Sequence, residues 1–282
     1  MNKNGIKFWK QWNALNRIGN NVSSRINGET DENKMADEFA SYFESVYGSA
    51  DGPTYSLLKE TFTQEYTEYF RDHINDDIMP FFATWSDMMD IAKKIEIGKA
   101  SVGVFRHFIF GSPDLLRHFQ ILFNGMLQHS YVPTEFLNGV ITPIVKDSQG
   151  DSTSPSNYRG VTLSCLPAKL FELLIQKKTS HLLVTDDLQF GFKSRTSSSH
   201  AIYAMKSTID YFNSKGSKVY VAFLDCSKAF DWISHHGLYS KLMTRKVPLC
   251  ILLCLIYWYS NMTSCVKWGS ETSRRFDIPI VN

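Results

Sequence analysis

The apolar run KVYVAFL, residues 218–224, leads directly into Asp225, and this junction constrains the fold more than any other stretch of the chain. Apolar side chains occur at both alternating positions of the run, which is typical of a strand covered on both faces. An ionised aspartate at the end of such a strand is costly unless a partner compensates its charge. The sequence therefore predicts a central strand over 218–224 and a compensating partner for Asp225.

Two alternatives account for this aspartate. A carboxylate that follows a strand commonly caps the next turn through hydrogen bonds to nearby backbone. A divalent cation is the other alternative, because nucleotidyl-transfer chemistry holds two Mg²⁺ ions between carboxylates from separate segments. The strand and its aspartate leave both alternatives open.

Helical and strand patterns are mixed along the chain without strict alternation, which indicates an α+β fold with helices and a mixed β-sheet. Two β-branched runs, 139–145 and 158–164, flank a loop of turn-forming residues and predict a β-hairpin. Thr84 and Asp87 have the spacing of a capping box and predict a helix start. Apolar residues at helical spacing predict further helices over residues 6–18, 35–46, 113–126, 167–183, 197–212, 235–247 and 248–259.

Charge and cysteine content narrow the class of protein. Residues 1–140 contain 13 basic and 18 acidic residues, whereas residues 141–282 contain 17 and 10, and a basic half suggests a polyanionic partner or simply a solvated surface. The five cysteines show no metal-binding or paired spacing, so we expect free thiols, no disulfide partner and an intracellular location in nucleus or cytoplasm. The longest apolar run, 247–259, is too short to span a membrane.

The stretch FLDCSKAFDWISHHGLYSKL, which begins at residue 223, resembles the first palm motif of reverse transcriptases from non-LTR (LINE-type) retrotransposons. Three further stretches resemble the same family in the same order. VPTEFLNGVITPIVKD with SPSNYRGVTLSCLPAKLFE resembles the finger hairpin and its following helix, QFGFKSRTSSSHAI resembles the next motif, and FASYFESVYG resembles the segment before the polymerase domain. The resemblance implies an N-terminal helical segment over 1–80, and polymerase fingers plus a partial palm over 81–282.

The resemblance also implies site residues for an RNA-directed DNA polymerase, a nucleotidyltransferase that uses Mg²⁺. Asp225 matches the metal-binding aspartate, and the backbone carbonyl of Cys226 would help to hold the second ion. Phe230 matches an aromatic steric gate that excludes the 2′-hydroxyl of an incoming nucleotide, although it also reads as a core phenylalanine. Lys146 and Arg159, on the two arms of the hairpin, would grip the triphosphate, or they are solvated surface charges.

The implied partners are an RNA template, a DNA primer and deoxynucleoside triphosphates, with no membrane partner. Lys193 and Arg195 are candidates for template or primer phosphate contacts, which would be independent of base sequence and sensitive to salt. Asp186 and Asp187 imitate the second carboxylate motif of the family, but they precede Asp225 and occupy the position of a loop.

The family supplies two further carboxylates from an aromatic-x-Asp-Asp hairpin downstream of the first palm motif, and no such motif follows Asp225 here. We therefore expect a chain truncated before the second palm motifs and inactive alone. Two alternatives to a polymerase follow from this expectation: a non-catalytic RNA- or DNA-binding remnant, or a fragment without function.

Overall fold

The computed structural model describes residues 23–48, 53–94, 113–226, 229 and 231–278. The helix predicted over 6–18 lies outside these ranges. The helices within them are α1 (Glu32–Gly48), α2 (Pro53–His73), α3 (Trp85–Lys94), α4 (Pro113–His129), α5 (Thr134–Leu137), α6 (Leu166–Thr179), α7 (Ser198–Ser214), α8 (His235–Thr244) and α9 (Leu249–Ser260). Short 3₁₀ helices cover Met79–Phe81 and Pro155–Asn157.

The strands form one mixed sheet, in the order β2-β1-β3-β4, with β5 also paired to β3. Strands β1 and β2 are antiparallel, as the hairpin prediction required, whereas β1 and β3 run parallel. Together with the helices, this sheet confirms the α+β class. The strand bounds are β1 (Asn138–Val145), β2 (Tyr158–Leu163), β3 (Thr263–Trp268), β4 (Glu271–Thr272) and β5 (Phe276–Asp277).

Helix α1 covers one face of the sheet. Its apolar positions recur at helical spacing and are buried, as predicted, and the helix ends at Gly48. Phe39 packs edge-on against Tyr158 of β2 with 4.9 Å between ring centroids and lies 4.7 Å from the Trp268 ring of β3. Ile141 of β1 completes this core. The sheet therefore has a closed face toward α1 and an opposite face that carries the other half of its side chains.

A second apolar cluster joins α2, α8 and α9. Tyr239 and Leu252 are fully buried there, with Phe62 and Tyr66 of α2 packed against them. The apolar run at 249–260 is thus a largely buried helix, as its composition predicted. No helix in the described ranges is long and apolar enough to cross a membrane. All five cysteines are free thiols.

Helix α3 is fixed to α6 by a buried charge cluster. The predicted capping box is confirmed, because the Asp87 carboxylate accepts from the backbone and hydroxyl of Thr84 and the Asp87 amide donates to the Thr84 hydroxyl. The same carboxylate, in a residue only 7% exposed, also pairs with Lys177 at 2.9 Å and Lys178 at 2.8 Å. Burial raises the pKa of Asp87, but hydrogen bonds from Lys178, Thr84 and Lys177 outweigh that effect and hold the pKa well below its usual range.

The chain divides into two compact units. One unit contains the described residues of 1–179 and 230–282, and it includes the sheet and both apolar clusters. The other unit, Ser180–Ala229, contains a turn over 186–195, helix α7 and an irregular segment over 217–226.

The prediction of a strand over 218–224 is wrong. These residues form neither strand nor helix, and the side chains of Tyr220, Phe223 and Leu224 are 89%, 79% and 99% exposed. A strand needs a neighbour for its backbone hydrogen bonds, and none of the strand pairs in the described part of the chain includes this run. An apolar composition shows that a segment could be buried, but burial also requires a neighbouring strand or helix to pack against.

Candidate nucleotide and nucleic-acid interface

The β1–β2 hairpin forms because two β-branched runs flank a loop that closes on itself. Asn157 joins the two ends of that loop, since its side-chain oxygen accepts from the Asp147 amide at 3.2 Å and its side-chain nitrogen donates to the Asp147 carbonyl at 2.9 Å. The Tyr158 hydroxyl donates to the Ser152 carbonyl at 2.7 Å. These contacts give the predicted loop a defined structure and hold the arms of the hairpin in register.

The register places Lys146 and Arg159 on one face. Ile144 pairs with Arg159 and Val145 pairs with Tyr158, and the Lys146 amide continues the ladder by donating to the Asn157 carbonyl at 2.8 Å. Residues two apart on a strand share a face, so Lys146 and Arg159 are diagonal neighbours. Both are exposed, and their face is the one opposite to α1.

The electrostatics of this pair suit an anion. The Lys146 ammonium donates to the Ser156 carbonyl at 2.9 Å, which uses one of its three hydrogens. No acidic side chain pairs with either residue among the described ion pairs. Two adjacent cations on an exposed face attract phosphate groups, and the guanidinium can hold two phosphate oxygens at once.

In the turn over 186–195, Lys193 interacts with acidic residues, whereas Arg195 is exposed. The Asp186 side chain accepts from the Leu188 amide, as in an Asx turn, which fits the loop position that the family pattern gave to this pair of aspartates. Lys193 donates to the Asp186 carbonyl at 3.2 Å and pairs with Asp187 at 3.5 Å, so its charge is partly neutralised within the turn. Arg195 is exposed and has a left-handed backbone, with φ of +63°.

The residues that the family pattern assigns to metal binding, Asp225 and Cys226, are exposed in the irregular segment of the second unit. Phe230 lies outside the described residues. Among the residues that the structure describes, no three histidine, cysteine or acidic side chains gather where a metal ion could be held. One exposed carboxylate does not fit a two-metal site, which needs ligands from several segments.

The charge of Asp231 affects Tyr47 of α1, a residue that contacts the hairpin. Burial raises the pKa of the Tyr47 hydroxyl on α1 to about 12, and the nearby charge of Asp231 adds to that rise. Tyr47 also hydrogen-bonds to Thr162 of β2.

Sequence reasoning missed the part that Asn157 plays in the site. This asparagine is a positioning residue, because it aligns the loop ends next to Lys146 and Arg159 without facing a ligand itself. The signal was its place directly before a β-branched run, at the end of a polar loop.

In comparisons with known proteins, residues 144–277 match the family model of the reverse transcriptases (RNA-dependent DNA polymerases). The chain is 28% identical over 126 residues to a probable RNA-directed DNA polymerase from transposon BS of Drosophila melanogaster, which covers 43% of this chain and 14% of that protein. It is 28% identical over 128 residues to the corresponding protein of transposon X-element from the same organism, with the same coverage.

A third relative is the retrovirus-related Pol polyprotein from type-1 retrotransposable element R2 of Nasonia vitripennis. It is 22% identical over 140 residues, which cover 50% of this chain and 14% of the relative. The chain thus spans about a seventh of the length of each of these relatives. The resemblance to reverse transcriptases of non-LTR retrotransposons that the sequence motifs predicted is confirmed over residues 144–277.

Proposed function

We propose that this chain is the fingers and the first part of the palm of an RNA-directed DNA polymerase of the non-LTR retrotransposon type. Residues 1–80 would be a helical segment that precedes the polymerase domain at 81–282. The observation that carries the proposal is the β1–β2 hairpin, because its register puts Lys146 and Arg159 side by side on one exposed face within a hairpin that the family match enters at residue 144.

In this proposal Lys146 and Arg159 bind the triphosphate of an incoming deoxynucleotide. The ammonium acts as a point charge and the guanidinium as a planar fork that donates two hydrogen bonds. Asn157 keeps the two cations aligned by closing the loop between them. Arg195, which is exposed, would contact backbone phosphates of template or primer, whereas Lys193 is engaged with Asp187 and would contribute less.

The family pattern assigns Asp225 and the Cys226 carbonyl to metal binding and Phe230 to the sugar gate, but a two-metal site needs further carboxylates from other segments. Because the described residues do not assemble such a site by themselves, we expect no primer extension from the 282-residue chain alone.

The second candidate is a non-catalytic protein that binds RNA or DNA. One contrast in the structure favours it: the hairpin cations are gathered, whereas the described residues bring no cluster of metal-binding side chains together. This candidate uses the same hairpin face but needs no contribution from Asp225.

Two measurements on the purified chain test these candidates. The first is Mg²⁺-dependent extension of a DNA primer on an RNA template, with Asp225→Asn as the matched variant. We expect no extension, and extension that Asp225→Asn abolishes would show that the chain is a polymerase by itself. The second is binding of dTTP and of a labelled RNA to wild type, Lys146→Gln and Arg159→Gln.

We expect each hairpin substitution to weaken both dTTP and RNA binding, while Asp225→Asn leaves RNA binding unchanged. Lys34→Gln is the control, because it removes one exposed positive charge from α1, on the other side of the sheet. Hairpin variants that bind dTTP and RNA as the wild type does would contradict both candidates.

A further inference from the structure

We infer that Lys267 is a third cation on the hairpin face and that it binds the phosphodiester backbone of a single-stranded nucleic acid. This inference rests on the proposed function, because it extends the anion-binding face of Lys146 and Arg159 beyond the hairpin. Neither a motif in the sequence nor the comparisons point to Lys267. The evidence is the register of the parallel pair β1–β3 and the exposure of the lysine.

The register fixes the face on which Lys267 lies. Val140 pairs with Cys265 and Ile141 pairs with Val266, so Lys267 falls opposite Thr142 on the next step of the parallel ladder. Val266 belongs to the core against α1, as does Ile141, and side chains alternate along a strand. Lys267 therefore points to the face opposite to α1, the face of Arg159.

Lys267 is available to a ligand. It is exposed, although both of its neighbours in β3, Val266 and Trp268, are buried. Its ammonium makes no hydrogen bond or ion pair among those found in the described part of the chain. By cross-strand pairing its antiparallel neighbour is Thr272, which carries no charge.

The acidic residue that pairing puts on the same face is Asp277, opposite Thr263 at the other end of β3. That position is four residue steps along β3 from Lys267, or about 13 Å. The region between Lys267 and the hairpin cations is lined by Thr142 and Val161, which are uncharged. The face is therefore positive from β2 to β3, and its complement is a ligand with several negative charges.

The spacing favours a polymer over one nucleotide. Arg159 and Lys267 are two strands apart and offset by two residues, which places their α-carbons about 12 Å from one another. A strand within a duplex carries one phosphate per ~3.4 Å of helix axis, and a single strand can extend further per nucleotide, so this distance spans at most about three to four nucleotides. Lys146 and Arg159 can hold one triphosphate, whereas Lys267 reaches phosphates that follow along a strand.

Salt dependence of binding tests the inference. Binding of labelled fifteen-nucleotide oligo(rU) and oligo(dT) to the full chain is measured between 50 and 300 mM salt for wild type, Lys267→Gln and Lys34→Gln. Loss of one phosphate contact lowers the slope of log affinity against log salt by about 0.7 and weakens binding about fivefold at 0.1 M salt. We expect both changes for Lys267→Gln and neither for Lys34→Gln.

Two further comparisons separate this inference from the function that it rests on. Lys267→Arg retains the charge and should restore the slope, and the thermal transition of each variant shows that it is folded. dTTP binding should be weakened in Lys146→Gln but not in Lys267→Gln. A slope for Lys267→Gln equal to that of Lys34→Gln, or an equal loss of dTTP binding, would overturn the inference and leave the hairpin proposal standing, whereas unaffected hairpin variants would overturn the proposed function itself.

Discussion

The carboxylate of Asp87 has two structural roles. It caps the start of α3 through Thr84, and it forms ion pairs with Lys177 and Lys178 of α6. Its buried oxygens accept hydrogen bonds and face positive charges, so the ionised form is favoured despite burial. Removing one partner from a buried charge cluster leaves the others uncompensated, which is more costly than losing an exposed ion pair.

We predict that Asp87→Asn lowers the free energy of unfolding by about 2 to 3 kcal/mol, because Lys177 and Lys178 lose their shared counter-charge. Urea unfolding at pH 7 measures the loss. Asp90→Asn is the control: Asp90 also pairs with Lys177, but its side chain is 47% exposed, and we expect a clearly smaller loss than for Asp87→Asn. Equal losses in the two variants would contradict the prediction.

Gly139 is required by close packing in the centre of the sheet. A Cβ at this position would lie 2.7 Å from the Ser264 hydroxyl oxygen and 2.7 Å from a Thr162 methyl carbon. We predict that Gly139→Ala destabilises the protein by about 1 to 3 kcal/mol, measured by urea unfolding. Gly125→Ala, in α4 with open space around it, is the control and should be neutral or stabilising by up to about 1 kcal/mol.

At the scale of elements, two histidines lie at the start of α8, where His235 is partly buried and His236 is buried. Burial lowers the pKa of His235, and the neighbouring His236 lowers it further. Burial and then the charge of Lys59 lower the pKa of His236. Both imidazoles are therefore neutral in the folded state at a pH where they would take up protons in the unfolded state.

We predict that stability is fully present above the unfolded histidine pKa, near 6.5, and decreases as the pH falls through that value. Thermal midpoints at pH 7.5 and 5.5 measure the decrease. The double variant His235→Gln/His236→Gln should have a smaller difference between these two midpoints, whereas His118→Gln, an exposed control on α4, should behave as wild type. A double variant with the wild-type pH dependence would refute the role of these histidines.

Local patterns predicted most elements of this fold. Apolar spacing together with cap residues gave the buried face of α1, its end at Gly48 and the Thr84–Asp87 capping box. β-Branched runs around a polar loop gave the hairpin and hence the proximity of Lys146 and Arg159. Each of these features is decided by residues close in sequence.

The features that sequence did not predict depend on distant residues. The run 218–224 has the composition of a buried strand, but its structure depends on a surface elsewhere in the chain. The face of Lys267 depends on a parallel pairing with β1, and the charge cluster depends on a contact between Asp87 and Lys177, which are 90 positions apart in the sequence. A pattern read along the chain contains no information on such pairings.

At the scale of the whole molecule, the two units differ in how much they bury. Helix α7 in the second unit has no buried residue, whereas six residues of α9 are buried in the first. Few buried contacts mean a low free energy of local opening. We predict that amides of Ser198–Ser214 exchange with deuterium at least tenfold faster than those of Leu249–Ser260, as measured by mass spectrometry of peptides. Similar protection of the two helices would contradict this prediction.

The parallel pairing of β1 with β3 also has a consequence for synthesis of the protein. Asn138 and Thr263, which face one another across this pair, are 125 positions apart in the chain. At about 5 to 20 residues per second, a ribosome needs roughly 6 to 25 s to add that length. Once β2 is complete at Leu163, the nascent β1–β2 hairpin has an open edge, so a chaperone that shields β-strand edges would be needed most while residues 164–263 are being translated.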